Sequence, residues 1–334
     1  MNEPEQVAHD VTLVMTILNE EAGIASFLES ISTQVLWPAK IVIVDGGSTD
    51  STLAVVSAWS PPAGVSLLVV AEPGIGIAAG RNHGIALVTT TKVVVTDGGT
   101  HLTKTWLSEL VHGWGQADIA SGFFEPQRGT FLATTIATTI TPHISEIDES
   151  VFLPSSRSVG FRKEAWSKSG GYPEWLDYCE DLVFDISMKN DGARFVFVPS
   201  AIVTWEGRSS FRGFSKQYYR YARGDGKAGL FAKRHAIRYA AYVVGILLVV
   251  SAIVSSPWFW LLLIVGGAVY LSKFVRRHFH FHALLAGRTL AALALLPVIV
   301  LLGDLAKMAG YPVGVLWRRQ QARRGLREPV TVAK

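Results

Sequence analysis

The sequence predicts an α/β domain, a mostly parallel sheet with helices on both faces, followed by an α-helical membrane region. Three observations predict it. The front of the chain alternates continuous β-branched runs with runs whose apolar residues fall at helical spacing, the pattern of a sheet buried on both faces. The back holds 34 consecutive residues, Tyr239 to Ser272, with no charged side chain. Charge divides between the same two halves. Residues 1–205 carry a balance of −12 and residues 206–334 one of +16, within a net charge of +4.

The bulk numbers agree with a mixed molecule. The 334 residues are 49% hydrophobic, and mean hydropathy is +0.30. That is apolar for a soluble domain and modest for a fully embedded one. A lone cysteine, Cys179, excludes an internal disulfide framework and fits a reducing compartment. The start, MNEPEQVAHD, has neither a basic nor an apolar region, so no secretory signal is expected. The basic residues of the back half flank apolar runs, which points to anionic lipid rather than nucleic acid.

The elements follow in order. VTLVMTIL (11–18) reads as the first strand and EAGIASFLESI (21–31) as a helix. Next come IVIV (41–44) as strand, STLAVVSAW (51–59) as helix, VSLLVV (65–70) as strand, IAAGRNHGIALV (77–88) as helix and KVVVT (92–96) as strand. The uncharged run is too long for one span, since a membrane helix needs about 20 apolar residues. Ser255-Ser256-Pro257 breaks it into a hairpin, about Ile237–Val254 and Trp258–Ser272. Lys233, Arg234 and Arg238 precede it, and Lys273, Arg276 and Arg277 follow. Positive charge stays cytoplasmic, which places the front domain inside a plasma membrane crossed more than once. A buried hairpin of a soluble protein is the alternative. A third apolar segment, Thr289–Gly303, is expected to end at Asp304 and Lys307; whether it crosses is open. The histidines of RRHFHFH (His278, His280, His282) read as interfacial residues rather than a metal site.

In such a sheet, ligands bind beyond the carboxyl ends of the strands. Those ends carry Asn19-Glu20-Glu21, Asp45-Gly46-Gly47-Ser48-Thr49-Asp50, Glu72-Pro73-Gly74-Ile75-Gly76 and Asp97-Gly98-Gly99. Acids and glycines at neighbouring ends predict a pocket with close backbone approach. GIGIAA (74–79) also matches a dinucleotide fingerprint, but Glu72-Pro73 separate it from its strand.

Several motifs stand in one order: TILNEEAGI, IVIVDGGSTDSTL, GIGIAAGRNHGI, VVVTDGGTHLTKTWL, SVGFRKEAWSKSGGYPEWLDYCED and QYYRYARGDG. Together, over about residues 10–230, they resemble the family-two glycosyltransferases, which have the GT-A fold and invert at the transferred sugar. The resemblance implies a nucleoside-diphosphate sugar donor. Thr16, Glu20, Asp45, Arg81, Asp97 and Gly98 match the donor pocket, with Asp45 at the nucleotide base. Asp97 matches the first acid of a D-x-D element that holds Mg²⁺ or Mn²⁺. Here the third position is Gly99. Asp181 of Glu180-Asp181 matches the general base, with Glu180 beside it. Acids at a helix start also have the plainer role of meeting its dipole. Gln217, Arg220 and Tyr221 match a Q-x-x-R-W element with tyrosine for tryptophan; with Arg208 they are expected near the diphosphate or acceptor.

The expected layout is a tail over 1–9, a GT-A domain over 10–205 and a basic helix over 206–235. Membrane helices follow over 236–310, the third segment reaching about 309, and a basic tail over 311–334. The expected activity is sugar transfer to a hydroxyl of a lipid-linked or cell-envelope saccharide, with membrane lipid as a partner. A processive polysaccharide synthase component and a non-catalytic nucleotide-sugar-binding relative are the alternatives.

Overall fold

The computed structural model describes residues 6–324, so the expected tails lie partly outside the described residues. The chain forms two compact units. Of the described residues, the first comprises those up to Glu125 together with Ile144–Trp205, and the second comprises Pro126–His143 and residues 206–324.

The first unit alternates strand and helix. β1 is Val7–Ile17, α1 Ile24–Ser32, β2 Trp37–Asp45, α2 Thr52–Ala58, β3 Ser66–Ala71, α3 Ile77–Ala86 and β4 Lys92–Asp97. β5 (Thr100–Leu102), α4 (Trp106–Trp114) and β6 (Ile119–Pro126) follow. After α5 (Phe131–Ile140), which belongs to the second unit, come β7 (Val159–Arg162), α6 (Lys163–Lys168), α7 (Glu180–Asn190) and β8 (Phe195–Trp205). They make one eight-stranded sheet in the order β3-β2-β1-β4-β7-β6-β8-β5.

The pairs β3–β2, β2–β1 and β1–β4 are parallel, as the continuous apolar runs predict. β4–β7, β7–β6 and β5–β8 are antiparallel, so the sheet is mixed. Alternate residues of β1 serve opposite faces. Leu13 and Met15 join a core with Ile41, Ile43, Phe27 and Trp106, whereas Val14 joins Val42, Val95, Ile85 and Phe184. β1 starts at Val7, earlier than the run from residue 11 predicts. Val7 and Ala8 pair with Trp37 and Pro38, and the register shifts before Thr12. The parallel register sets Thr16 opposite Asp97 on one side and Ile17 opposite Asp45 on the other. Three candidate residues thus end up at one carboxyl edge.

The second unit is helical. α8 is Phe211–Ala228, α9 Ala232–Val254, α10 Trp258–His280 and α11 Thr289–Arg323. α9, α10 and α11 are each long and apolar enough to cross a membrane, with mean hydropathies of 2.2, 1.7 and 2.2. The break at Ser255-Ser256-Pro257 falls where the sequence predicts, with Pro257 capping α10. The third segment, expected to end at Asp304 and Lys307 and to reach about residue 309, belongs to a longer helix: α11 runs 35 residues through both charges. The reason is that Asp304 is satisfied within the bundle. Arg238 Nε donates to it at 2.8 Å, Tyr242 Oη at 3.3 Å and Tyr270 Oη more closely, and Lys307 Nζ lies 3.8 Å away.

α11 also lies close against α8. A Cβ on Gly314 would stand 2.1 Å from the Arg223 carbonyl oxygen, and one on Gly310 2.2 Å from that of Tyr219. Gly226 on α8 answers them, 2.4 Å from the Tyr311 carbonyl oxygen by the same measure. Only glycines permit that approach. α5 completes the unit: Ile136 is buried with Phe214 of α8 and Ile299 of α11. Arg277 Nη1 donates to the carbonyls of Thr139 and Ile140 at the C-terminal end of α5, where the helix dipole favours a cation.

Candidate active site

At the carboxyl edge of the first unit, Arg81 is the central group. It sits on α3 and is 2% exposed. Nη2 donates to Asp97 Oδ1 at 2.6 Å, and Nη1 donates to Glu180 Oε1 at 2.8 Å. The guanidinium also faces the Tyr172 ring at 5.3 Å. One buried cation therefore ties the end of β4 to the first turn of α7. Two carboxylates raise the Arg81 pKa against the opposing effect of burial, so it stays charged. The side chain is buried, and its guanidinium is committed to Asp97 and Glu180.

Burial pushes Glu180 up to about 7, the neighbouring Asp181 charge adds to this, and Arg81 opposes it. Asp185, one turn further along α7, is pushed up by burial as well. Asp181 is half-buried, and its Oδ1 accepts from the Leu182 N–H at 2.8 Å, which fixes its rotamer. Cys179 precedes this pair in the left-handed region, φ 68°. A side chain with a Cβ resists that conformation, so the turn that aims the two acids is held under strain by its surroundings.

Asp97 keeps an exposed side, 30% of the side chain. Arg157, just before β7, places Nε 4.0 Å from Asp97 Oδ2. Its guanidinium lies over the rings of Phe124 and Trp205, at 5.6 and 5.2 Å. No motif in the sequence marks Arg157; the antiparallel return of β7 beside β4 is what delivers it. Gly98 is buried, and a Cβ there would stand 3.0 Å from Ile17 Cγ2. A Cβ on Gly99 would stand 3.7 Å from a carboxylate oxygen of Glu20. Glu20 thus borders the space that an acid at position 99 would enter.

The neighbouring loops are cross-linked. Asn19 Oδ1 accepts from Thr49 N–H at 2.9 Å, Asn19 N–H donates to Ser48 Oγ at 2.9 Å, and Glu20 N–H donates to Thr52 Oγ1 at 2.8 Å. Asp45 is fully buried. Oδ2 accepts from the N–H groups of Gly47 and Ser48 at 3.0 and 2.9 Å, and Oδ1 from the Ser48 hydroxyl at 2.5 Å. Through these bonds the Asp45 carboxylate orders its own loop. Asn82, beside Arg81, pins the glycine-rich loop before α7 through Tyr172 and Glu174, with contacts of 2.8–2.9 Å. That loop and α7 border an open cleft of about 380 Å³ lined by Gly170, Trp175, Val183 and Ser187.

The remaining candidates belong to the second unit. On α8, Gln217 Nε2 donates to Tyr221 Oη at 2.7 Å, and Arg208 Nε donates to Gln217 Oε1 at 3.3 Å. The i, i+4 spacing puts Gln217 and Tyr221 on one face, with Arg220 adjacent.

Known proteins resemble this chain in fold and in sequence. A mannosyltransferase from Pyrobaculum calidifontis, solved in complex with GDP-Man and Mn²⁺, superposes with a TM-score of 0.52 over 94% of this chain and 88% of its own. At 18% identity that likeness is one of fold. A PGL/p-HBAD biosynthesis glycosyltransferase of Mycobacterium bovis, and one of Mycobacterium tuberculosis, are each 32% identical over 80 residues. The match takes in 24% of this chain and spans 31% of the length of those relatives. The family model described as Glycosyl transferase family 2 matches residues 12–159, and that described as Glycosyl transferase family group 2 matches residues 92–303. The second match alone takes in more than half of the sequence, and the chain belongs to the family 2 glycosyltransferases.

Proposed function

We propose that the protein is a membrane-anchored inverting glycosyltransferase. It moves a sugar from a nucleoside-diphosphate sugar to a hydroxyl of a lipid-linked or cell-envelope saccharide. The observation that carries this is the Arg81 bridge between Asp97 and Glu180. It joins the strand end suited to a diphosphate with the helix start suited to a base.

In this reading the loops around Asn19, Glu20, Asp45 and Thr16 hold the nucleotide, with Asp45 ordering the loop that meets it. Asp97 and Arg157 face the diphosphate. The residues fit a hard, hydrated cation: Asp97 supplies a carboxylate, and Glu20 borders the place left open by Gly99. Mg²⁺ or Mn²⁺ there would neutralise the leaving diphosphate, with water and phosphate oxygens completing its shell. Gln217, Arg220, Tyr221 and Arg208 add the cation and aromatic face for the diphosphate or acceptor. Asp181 takes the acceptor hydroxyl's proton as that oxygen attacks the anomeric carbon, and the diphosphate leaves from the opposite face. The basic, apolar second unit supports a cytoplasmic catalytic domain, since excess Lys and Arg stay inside.

Asp181→Asn keeps the size and removes the base. Transfer of radiolabelled sugar from donor to membrane extract should fall by about 10²–10⁴-fold, while donor affinity by calorimetry stays within about twofold. Normal turnover by this variant would remove Asp181 from the mechanism.

A further inference from the structure

Three apolar helices of the second unit bring cations together at one end. Arg234 and Arg238 lie on α9, Lys273 on α10 and Lys307 on α11. Asp304 binds Arg238 at 2.8 Å and lies 3.8 Å from Lys307. Arg234 stands one turn before Arg238, and Lys273 one turn after Tyr270; Arg238 and Tyr270 both bind Asp304, so the same helix faces carry the cations toward one place. Lys307 Nζ stands 4.4 Å from the Tyr218 ring centre, and Lys273 Nζ 4.7 Å from that of Phe274. The cluster is thus four cations, one carboxylate and an aromatic floor. Among the described residues, neither Arg234 nor Lys273 forms an ion pair with an acid. Both are exposed. One carboxylate does not balance four gathered cations, which leaves the cluster positive and suited to an anion from outside the chain.

Depth indicates which anion. Arg238 lies 16 residues before Val254, the end of α9, and Lys273 lies 15 residues after Trp258, the start of α10. At about 1.5 Å per residue, both stand about 22–24 Å from the hairpin turn. A hydrocarbon core is about 30 Å thick. With Trp258 and Trp260 at one interface, Arg234, 20 residues before Val254, reaches the other, and Arg238 and Lys273 fall about 6–8 Å short of it, a gap that long basic side chains bridge by snorkelling toward the lipid phosphates. Cations at that level attract anionic headgroups.

We propose that Arg234, Lys273 and Lys307, with Arg238 held by Asp304, form a discrete site for the phosphate of an anionic membrane lipid. The site lies beyond the transfer chemistry and rests only on membrane insertion of α9, α10 and α11. Donor binding and lipid binding therefore stand or fall separately.

The test uses the full chain in detergent with three probes: dioleoyl phosphatidylglycerol, dioleoyl phosphatidylcholine and inorganic phosphate. Native mass spectrometry counts retained lipid, and thermal unfolding reads protection. Phosphatidylglycerol should be retained and raise Tm; phosphatidylcholine and inorganic phosphate should do neither. The double variant Arg234→Gln/Lys273→Gln should weaken retention by about thirtyfold while its lipid-free Tm matches the parent. Should the double variant lose its fold, exposed Lys273→Gln alone decides, with an expected loss of about fivefold. Arg319→Gln/Arg323→Gln removes equal charge from the far end of α11 and should retain lipid as the parent does. Equal retention of phosphatidylcholine, equal protection by inorganic phosphate, or undiminished retention in the variants at 234 and 273 would overturn the site.

Discussion

Glu180 shows how much one buried side chain can report. Burial first, then the Asp181 charge, raise it from its ordinary 4.5 to about 7. The folded protein thus holds this proton more tightly than the unfolded chain. Stability from this group is fully present below about pH 4.5 and is lost as pH rises through about 7. Glu180→Gln should flatten the fall in Tm between those values, leaving the part due to buried Asp185. A slope identical to the parent's would show that Glu180 is not its source. The same residue illustrates what sequence conceals. Glu180 and Asp181 are adjacent in a legible motif, yet only the bridge from Arg81 separates their roles. One is locked into an ion pair; the other stays half-exposed with its rotamer fixed.

At the scale of elements, α8 and α11 illustrate the same point. Gly310 and Gly314 are spaced four apart and meet the α8 backbone with no room for a Cβ. The small-xxx-small pattern is present in AGYPVG (309–314), but a pattern of two glycines occurs too often to name its partner helix. Gly314→Leu should force the helices apart. Overpacking of this kind costs about 1–3 kcal/mol, read as a lower Tm in detergent, and on the roles proposed above for Gln217, Arg220 and Tyr221 of α8 transfer should fall with it. An unchanged Tm would mean that the crossing contributes nothing to stability. Boundaries were legible where the local signal was strong. Ser255 closes α9 and Pro257 opens α10, a place where its missing N–H costs nothing, whereas Asp304 misleads because its partners come from α9 and α10.

For the whole molecule, the interleaving of the two units matters most. The chain leaves the first unit after Glu125, builds α5 in the second, and returns at Ile144. Ile136 of α5 is fully buried against Phe214 and Ile299. Cutting the chain after Trp205 therefore removes the surface that covers α5. Exposing each such side chain costs about 1.5–3 kcal/mol. A fragment of residues 6–205 should elute as aggregate on size exclusion. Replacing Phe131, Leu132, Ile136 and Ile140 by polar residues in that fragment should restore a monomer. A monomeric unmodified fragment would show that α5 needs no cover.

The sequence by itself determined the parallel half of the sheet, the carboxyl edge with its acids and glycines, the hairpin break and the family. These rest on local chemistry: continuous β-branched runs, turn residues, uncharged length and motif order. Tertiary structure alone decided the rest. It buried Arg81 between two acids, turned Asp45 inward, brought Arg157 beside Asp97 and carried α11 through Asp304. Each of these depends on a partner 16 or more residues away, or on a backbone N–H that composition does not display. A charge is read as exposed until its counter-charge is found, and only the fold locates the counter-charge.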